Sequence, residues 1–97
     1  MIGIAGLSHK TAPLKIREKF SFSAEEARGF SNAICNCEGF QEIFVLSTCN
    51  RTEFCFFSDG LSKEGCKELM YTRLSEFLQI PIADFSTYFY FNMAPMP

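Results

Sequence analysis

"EIFVLSTCNRTEFCFFS", residues 42 to 58, decides how this chain folds. Two apolar, β-rich runs, "EIFVLST" (42–48) and "TEFCFFS" (52–58), flank a short polar break at Cys49, Asn50 and Arg51. Strand-forming runs separated by so few residues pair with each other, so the segment reads as a β-hairpin with a cysteine at its tip. The same break poses the chemical question. Cys49 is either one of five small packed thiols in this chain or a nucleophile on a loop.

Upstream, Ser23 and Glu26 match the S-x-x-E capping box, which starts a helix near Ala24 with Ala27, Phe30 and Ile34 on one face. Gly39 marks its stop. Pro13 suits the first turn of a shorter helix over "LKIREKF" (14–20). Before it, "IGIAGLS" (2–8) is a short apolar strand that opens into the loop "HKTAP". Downstream, Asp59-Gly60 is a turn signal. Cys66, Leu69, Met70, Leu74, Phe77 and Leu78 then form one helical stripe, ended by Pro81. "FSTYFYF" (85–91) reads as a last strand.

The element order β, helices, β, β, α, β predicts an α+β fold, with helices on one face of an antiparallel sheet. Its named form is the ferredoxin-like split β-α-β. In that topology the first and second strands run the same way, with the third between them and antiparallel to both. The exit of the first strand and the tip of the hairpin then share one edge. The "SHKTAP" and Cys49 loops should be neighbours, and polar loops meeting on a rigid scaffold commonly carry function.

At 97 residues the chain makes one domain, expected over 1–91 with 92–97 as a C-terminal stub. A hydrophobic content of 47% excludes a disordered chain. A net charge of −2 gives no basic footprint for nucleic acid. No stretch reaches membrane-span length, and the opening apolar run is too short for a signal peptide. The expected compartment is the cytoplasm, where thiols stay reduced, and an odd number of cysteines argues against a closed disulfide framework.

By composition alone, a cysteine packs as a small hydrophobe, and Cys35, Cys37, Cys55 and Cys66 keep that reading. Cys49 differs in its neighbours. Arg51 carries a permanent cation that can favour a thiolate or grip a carboxylate, and Thr48 and Asn50 add small hydrogen-bonding groups. Two other arrangements stay open. Cys35, Cys37, Cys49 and Cys55 could share a metal, although C-x-C spacing departs from zinc frameworks and no metal is expected. His9, the one imidazole, could form a dyad with Cys49, although a single His is more often structural. Glu53 reads as a solvated strand residue. The glycines of "GIAGLS" lack the G-x-G-x-x-G spacing of a dinucleotide fingerprint.

"GLSHKTAPLKIREKF" (6–20) followed by "FVLSTCNRTEF" (44–54) resembles the glutamyl-tRNA reductases of tetrapyrrole biosynthesis, over roughly residues 1 to 91. The resemblance implies a ferredoxin-like N-terminal catalytic domain. It implies that Cys49 attacks the ester joining glutamate to tRNA, forming a thioester that NADPH on a second domain reduces to glutamate-1-semialdehyde. It implies that Thr48, Asn50 and Arg51 line the glutamate pocket, with Arg51 on a substrate carboxylate. Ser8, His9 and Lys10 are expected at the pocket edge.

As partners, the resemblance implies glutamyl-tRNA, a homodimer formed through a C-terminal domain, and the aminomutase of the next pathway step. Family members continue past "YFYF" into a helix with a further functional His, then dinucleotide-binding and dimerisation domains. This chain stops at "NMAPMP". It is expected to be an excised domain or a natural short relative, and not to bind NADPH by itself. The alternative function is a non-catalytic module that keeps the fold and binds glutamyl-tRNA or a partner protein.

Overall fold

The computed structural model describes residues 1–35 and 39–95. In chain order they form β1 (Ile2–Ser8), α1 (Leu14–Lys19), α2 (Ala24–Cys35), β2 (Phe40–Ser47), β3 (Arg51–Ser58), α3 (Lys63–Leu78) and β4 (Tyr90–Ala94). Two short 3-10 turns, Ile82–Asp84 and Ser86–Tyr88, precede β4.

Local chemistry explains where the helices begin and end. The Glu26 N–H donates to Ser23 Oγ and the Ser23 N–H donates to Glu26 Oε1, both at 3.1 Å, which closes the capping box at the head of α2. Ser62 Oγ accepts from the Gly65 N–H at 3.1 Å and starts α3. At the other end Gln79 turns left-handed, with φ of 57°, and Pro81 follows. Gly39 enters β2 with φ of +112°, and a Cβ there would lie 2.1 Å from Leu61 Cδ1, so both backbone and space require glycine.

The sheet order is β2-β3-β1-β4 and every pairing is antiparallel. This is the α+β arrangement the sequence predicts, with β3 between β1 and β2. β3 alternates cleanly. Thr52, Phe54, Phe56 and Ser58 are buried, whereas Arg51 is exposed and Glu53, Cys55 and Phe57 are half-buried. The buried face meets Phe30 and Ile34 of α2 and Cys66, Met70, Tyr71 and Leu74 of α3. Aromatic rings dominate this core. Phe54 lies 5.4 Å from Phe22 and 5.3 Å from Phe30, ring centroid to centroid, both edge to face.

Two expectations need correction. The last strand is Tyr90–Ala94, not 85–91. Residues 85–89 fold into 3-10 turns, with Tyr88 N–H to Phe85 O at 2.9 Å and Phe89 N–H to Ser86 O at 3.3 Å. The physical reason is packing. Extended chain would separate residues 85 and 89 by about 13 Å. The turn brings the Phe85 and Phe89 rings to 5.4 Å and sets both against Phe20 and Tyr71. In α3, Tyr71 is buried although it is absent from the apolar stripe, while Phe77 keeps 37% of its surface exposed.

The opposite face of the sheet is open, with Phe44 76% exposed and Leu46 50%. A shallow hollow of about 360 Å³ over Ile2, Glu42, Phe44, Cys55 and Phe57 lies at the end of this face away from the hairpin tip. Among the described residues, no helix is long and apolar enough to cross a membrane.

The two faces predict opposite costs. Phe54→Ala should destabilise the fold by about 3–5 kcal/mol, measured by urea unfolding, because it opens a cavity among aromatic rings. Phe44→Ala on the open face should change stability by no more than about 0.5 kcal/mol. Equal effects would contradict this assignment of the two faces.

Candidate active site

The hairpin tip is a four-residue turn, Thr48 to Arg51, with Cys49 and Asn50 at its centre. The Thr48 N–H donates to Arg51 O at 2.8 Å. Thr48 Oγ1 then accepts from the N–H groups of Asn50 at 3.2 Å and Arg51 at 3.3 Å. A threonine hydroxyl thus supplies acceptors that a bare backbone turn would lack. Thr48, Cys49, Asn50 and Arg51 are all exposed.

A second loop braces this turn. Ser8 ends β1 and is buried, and its carbonyl accepts from the N–H groups of Thr11 and Ala12 at 3.0 and 2.9 Å. Its Oγ accepts from the Lys10 N–H at 3.2 Å, and Thr11 Oγ1 accepts from the Ser8 N–H at 2.9 Å. His9 and Lys10 stand exposed on this turn. The His9 N–H donates to Asn50 O at 2.8 Å, so the "SHKTAP" and Cys49 loops touch directly, as the topology requires.

Arg17, which the sequence reading passed over, is the second brace. Its Nη1 donates to Cys49 O at 2.9 Å and its Nε donates to Ala12 O at 3.2 Å. One guanidinium from α1 therefore ties both loops together. Its signal in the sequence was its place in "LKIREKF", but an arginine on a short helix is ordinarily a solvated residue, and only the tertiary contact distinguishes it.

Arg51 heads β3 opposite Ser8. Its Nη1 lies 3.8 Å from Glu53 Oε2, and the Tyr90 hydroxyl donates to the same oxygen at 2.6 Å. Glu53 is not the solvated strand residue the sequence suggested, for its side chain is only 13% exposed, whereas that of Arg51 is 47% exposed. Burial first, and then the hydrogen bond to Glu53, push the Tyr90 hydroxyl well above the ordinary tyrosine range. It stays a neutral donor.

The other cysteines take different positions. Cys66 is fully buried and its Sγ donates to Ser58 Oγ at 3.1 Å. Cys55 is half-buried at mid-strand, and burial, followed by the nearby Glu53 charge, raises its thiol above the usual range. Cys35 ends α2, and Cys37 lies outside the described residues. Cys49 and Cys55 are six residues apart along a hairpin arm, about 20 Å, too far to share one metal ion. Among the described residues no group of three His, Cys, Asp or Glu side chains converges. Gly3 and Gly6 lie inside β1, where added Cβ atoms would meet Phe56 and the Thr52 carbonyl at 2.2 and 2.5 Å. They form no phosphate cradle, so they do not fit a dinucleotide.

Comparison with known proteins points the same way as the two loops. A family model described as glutamyl-tRNAGlu reductase, N-terminal domain, matches residues 5–95. A glutamyl-tRNA reductase of Thermodesulfovibrio yellowstonii is 36% identical over 92 residues, covering 90% of this chain and 21% of that protein. One from Syntrophotalea carbinolica is 44% identical over 63 residues, covering 65% of this chain and 14% of the relative. One from Cyanothece sp. is 35% identical over 83 residues, covering 86% and 19%. The chain spans about a fifth or less of the length of these curated relatives.

Two measurements check the site's geometry. Iodoacetamide should label Cys49 ahead of Cys55, and Cys55 ahead of Cys66, by peptide mass spectrometry, in the order of their exposure. Rapid labelling of Cys66 would contradict its burial. The Tyr90 hydroxyl has a folded value above the unfolded one of about 10, so its contribution to stability is complete below about pH 10 and lost as pH rises beyond that. The urea midpoint should therefore fall in strong alkali, and less steeply for Tyr90→Phe.

Proposed function

The chain belongs to the glutamyl-tRNA reductase family, as its N-terminal domain, and from that premise we propose that it is the thioester-forming catalytic domain of an NADPH-dependent reductase. That enzyme converts glutamyl-tRNA to glutamate-1-semialdehyde, on the route to 5-aminolevulinate and haem. The observation that carries the reading is the Cys49 thiol, exposed at the centre of a turn whose backbone is fixed by Thr48, Arg17 and the His9 N–H. A structural cysteine needs no such mounting. A nucleophile must be accessible and aimed, because effective attack depends on near-contact geometry.

In the proposed step the Cys49 sulfur, as thiolate, adds to the ester carbonyl carbon of glutamyl-tRNA. A C–S bond forms, the C–O bond to the terminal ribose breaks, and the released ribose oxygen takes up a proton. The product is a glutamyl thioester on Cys49 and free tRNA. Arg51, with its guanidinium partly exposed beside the turn, binds the substrate's side-chain carboxylate in two-pronged fashion. The Asn50 side chain lines the glutamate pocket, and Thr48 both lines it and shapes the turn. Ser8, His9 and Lys10 form its edge, with Ser8 acting through the turn it closes.

Reducing power comes, in this reading, from NADPH held by a separate domain. Homodimerisation through a C-terminal domain, an aminomutase partner and a cytoplasmic location belong to the same proposal, supported by family resemblance.

The test is acid-quenched incubation with glutamyl-tRNA followed by mass analysis of the Cys49 peptide. A glutamyl adduct on Cys49, absent from Cys49→Ser, is the expected result. His9→Ala should change the rate of adduct formation while leaving the unfolding midpoint in place. Tight binding of glutamyl-tRNA with no adduct would replace this reading by that of a binding module.

A further inference from the structure

Tyr90, Gly6 and Glu53 occupy one row across three strands, since Gly6 of β1 pairs with Tyr90 of β4 on one side and Glu53 of β3 on the other. The Tyr90 hydroxyl therefore reaches Glu53 across β1, over two strand spacings, or about 10 Å. It can do so because the intervening residue has no side chain. A Cβ on Gly6 would lie 2.5 Å from Thr52 O and 3.1 Å from Glu53 Cγ. The next row on the same face pairs Ser8 with Arg51. Both Tyr90 Oη and Arg51 Nη1 address one oxygen, Glu53 Oε2, at 2.6 and 3.8 Å.

We propose that Glu53 and Tyr90 are positioning residues that hold the Arg51 guanidinium for a substrate bearing a side-chain carboxylate. The inference rests on the reading of Arg51 given above. An arginine side chain is long and rotamer-rich, so one already held loses less entropy on binding. A carboxylate is the natural tether, but it also repels an incoming carboxylate. The Tyr90 hydroxyl resolves that conflict. It donates a short, charge-assisted bond to Oε2, keeping Glu53 low on the sheet, while the more exposed part of Arg51 stays open to the substrate. Without the hydroxyl, Glu53 is released to compete for Arg51.

The experiment compares acylation of Cys49 by glutamyl-tRNA and by the glutaminyl ester of the same tRNA, whose side chain is neutral, under single-turnover conditions, for wild type, Arg51→Ala, Glu53→Gln and Tyr90→Phe. Wild type should prefer the glutamyl ester, and Arg51→Ala should lose the preference. Tyr90→Phe and Glu53→Gln should each lower it about tenfold, the worth of one hydrogen bond to a charged group. The loss should appear as weaker half-saturation by the glutamyl ester, with glutaminyl kinetics unchanged. Equal slowing with both esters would mark a merely structural role and overturn the inference, as would wild-type preference in both variants. If Arg51→Ala keeps the preference, or wild type shows none, the reading of Arg51 fails and takes this inference with it.

Discussion

The register of β3 between its two neighbours is the constraint on which the rest of the structure depends. Because side chains alternate along a strand, a slip of one residue would turn Phe54 and Phe56 to water and drive Arg51 and Glu53 into the aromatic core. Burial of two phenylalanines, each worth roughly 1.5–3 kcal/mol, against exposure of two charges leaves one register open. That register sets Ser8 opposite Arg51, and with it the two loops side by side. Folding energy and site geometry are therefore one and the same decision here.

The position of Cys49 then follows from a few hydrogen bonds within the turn and from the two elements beside it. The turn satisfies its own N–H groups through the Thr48 hydroxyl, and the carbonyls of Cys49 and Asn50 are taken by Arg17 and the His9 N–H. A loop whose polar backbone groups are so occupied has few ways to rearrange. The backbone that carries the exposed thiol is thereby fixed without deep burial. The same economy separates Cys49 from Cys66, whose sulfur spends its hydrogen on a buried serine within the core.

The hairpin, the capping box at Ser23 and Glu26, and the meeting of the two loops were legible in the sequence because each depends on residues close together in the chain or on the order of elements. Three features were not. "FSTYFYF" has the composition of a strand, yet packing of the Phe85 and Phe89 rings against Phe20 and Tyr71 bends it into turns, because tertiary contact outweighs a propensity worth at most about 1 kcal/mol. Glu53 has the look of a solvated residue, and nothing nearby in sequence discloses that Tyr90, 37 positions on, caps it. Arg17 is as inconspicuous until its contact with Cys49 O, 32 positions away, is seen.

By itself the sequence determined the element order, the α+β sheet, the apolar face of α2 and the motif-bearing loops with Cys49, Thr48, Asn50 and Arg51. Periodicity, caps and turn residues are local and act over a few positions. Only the tertiary structure decided which side chains serve those loops: Arg17 from a helix, and Glu53 and Tyr90 from strands separated by a glycine. Sheet pairing brings together residues that no local pattern links, so their roles exist only once β1 lies between β3 and β4.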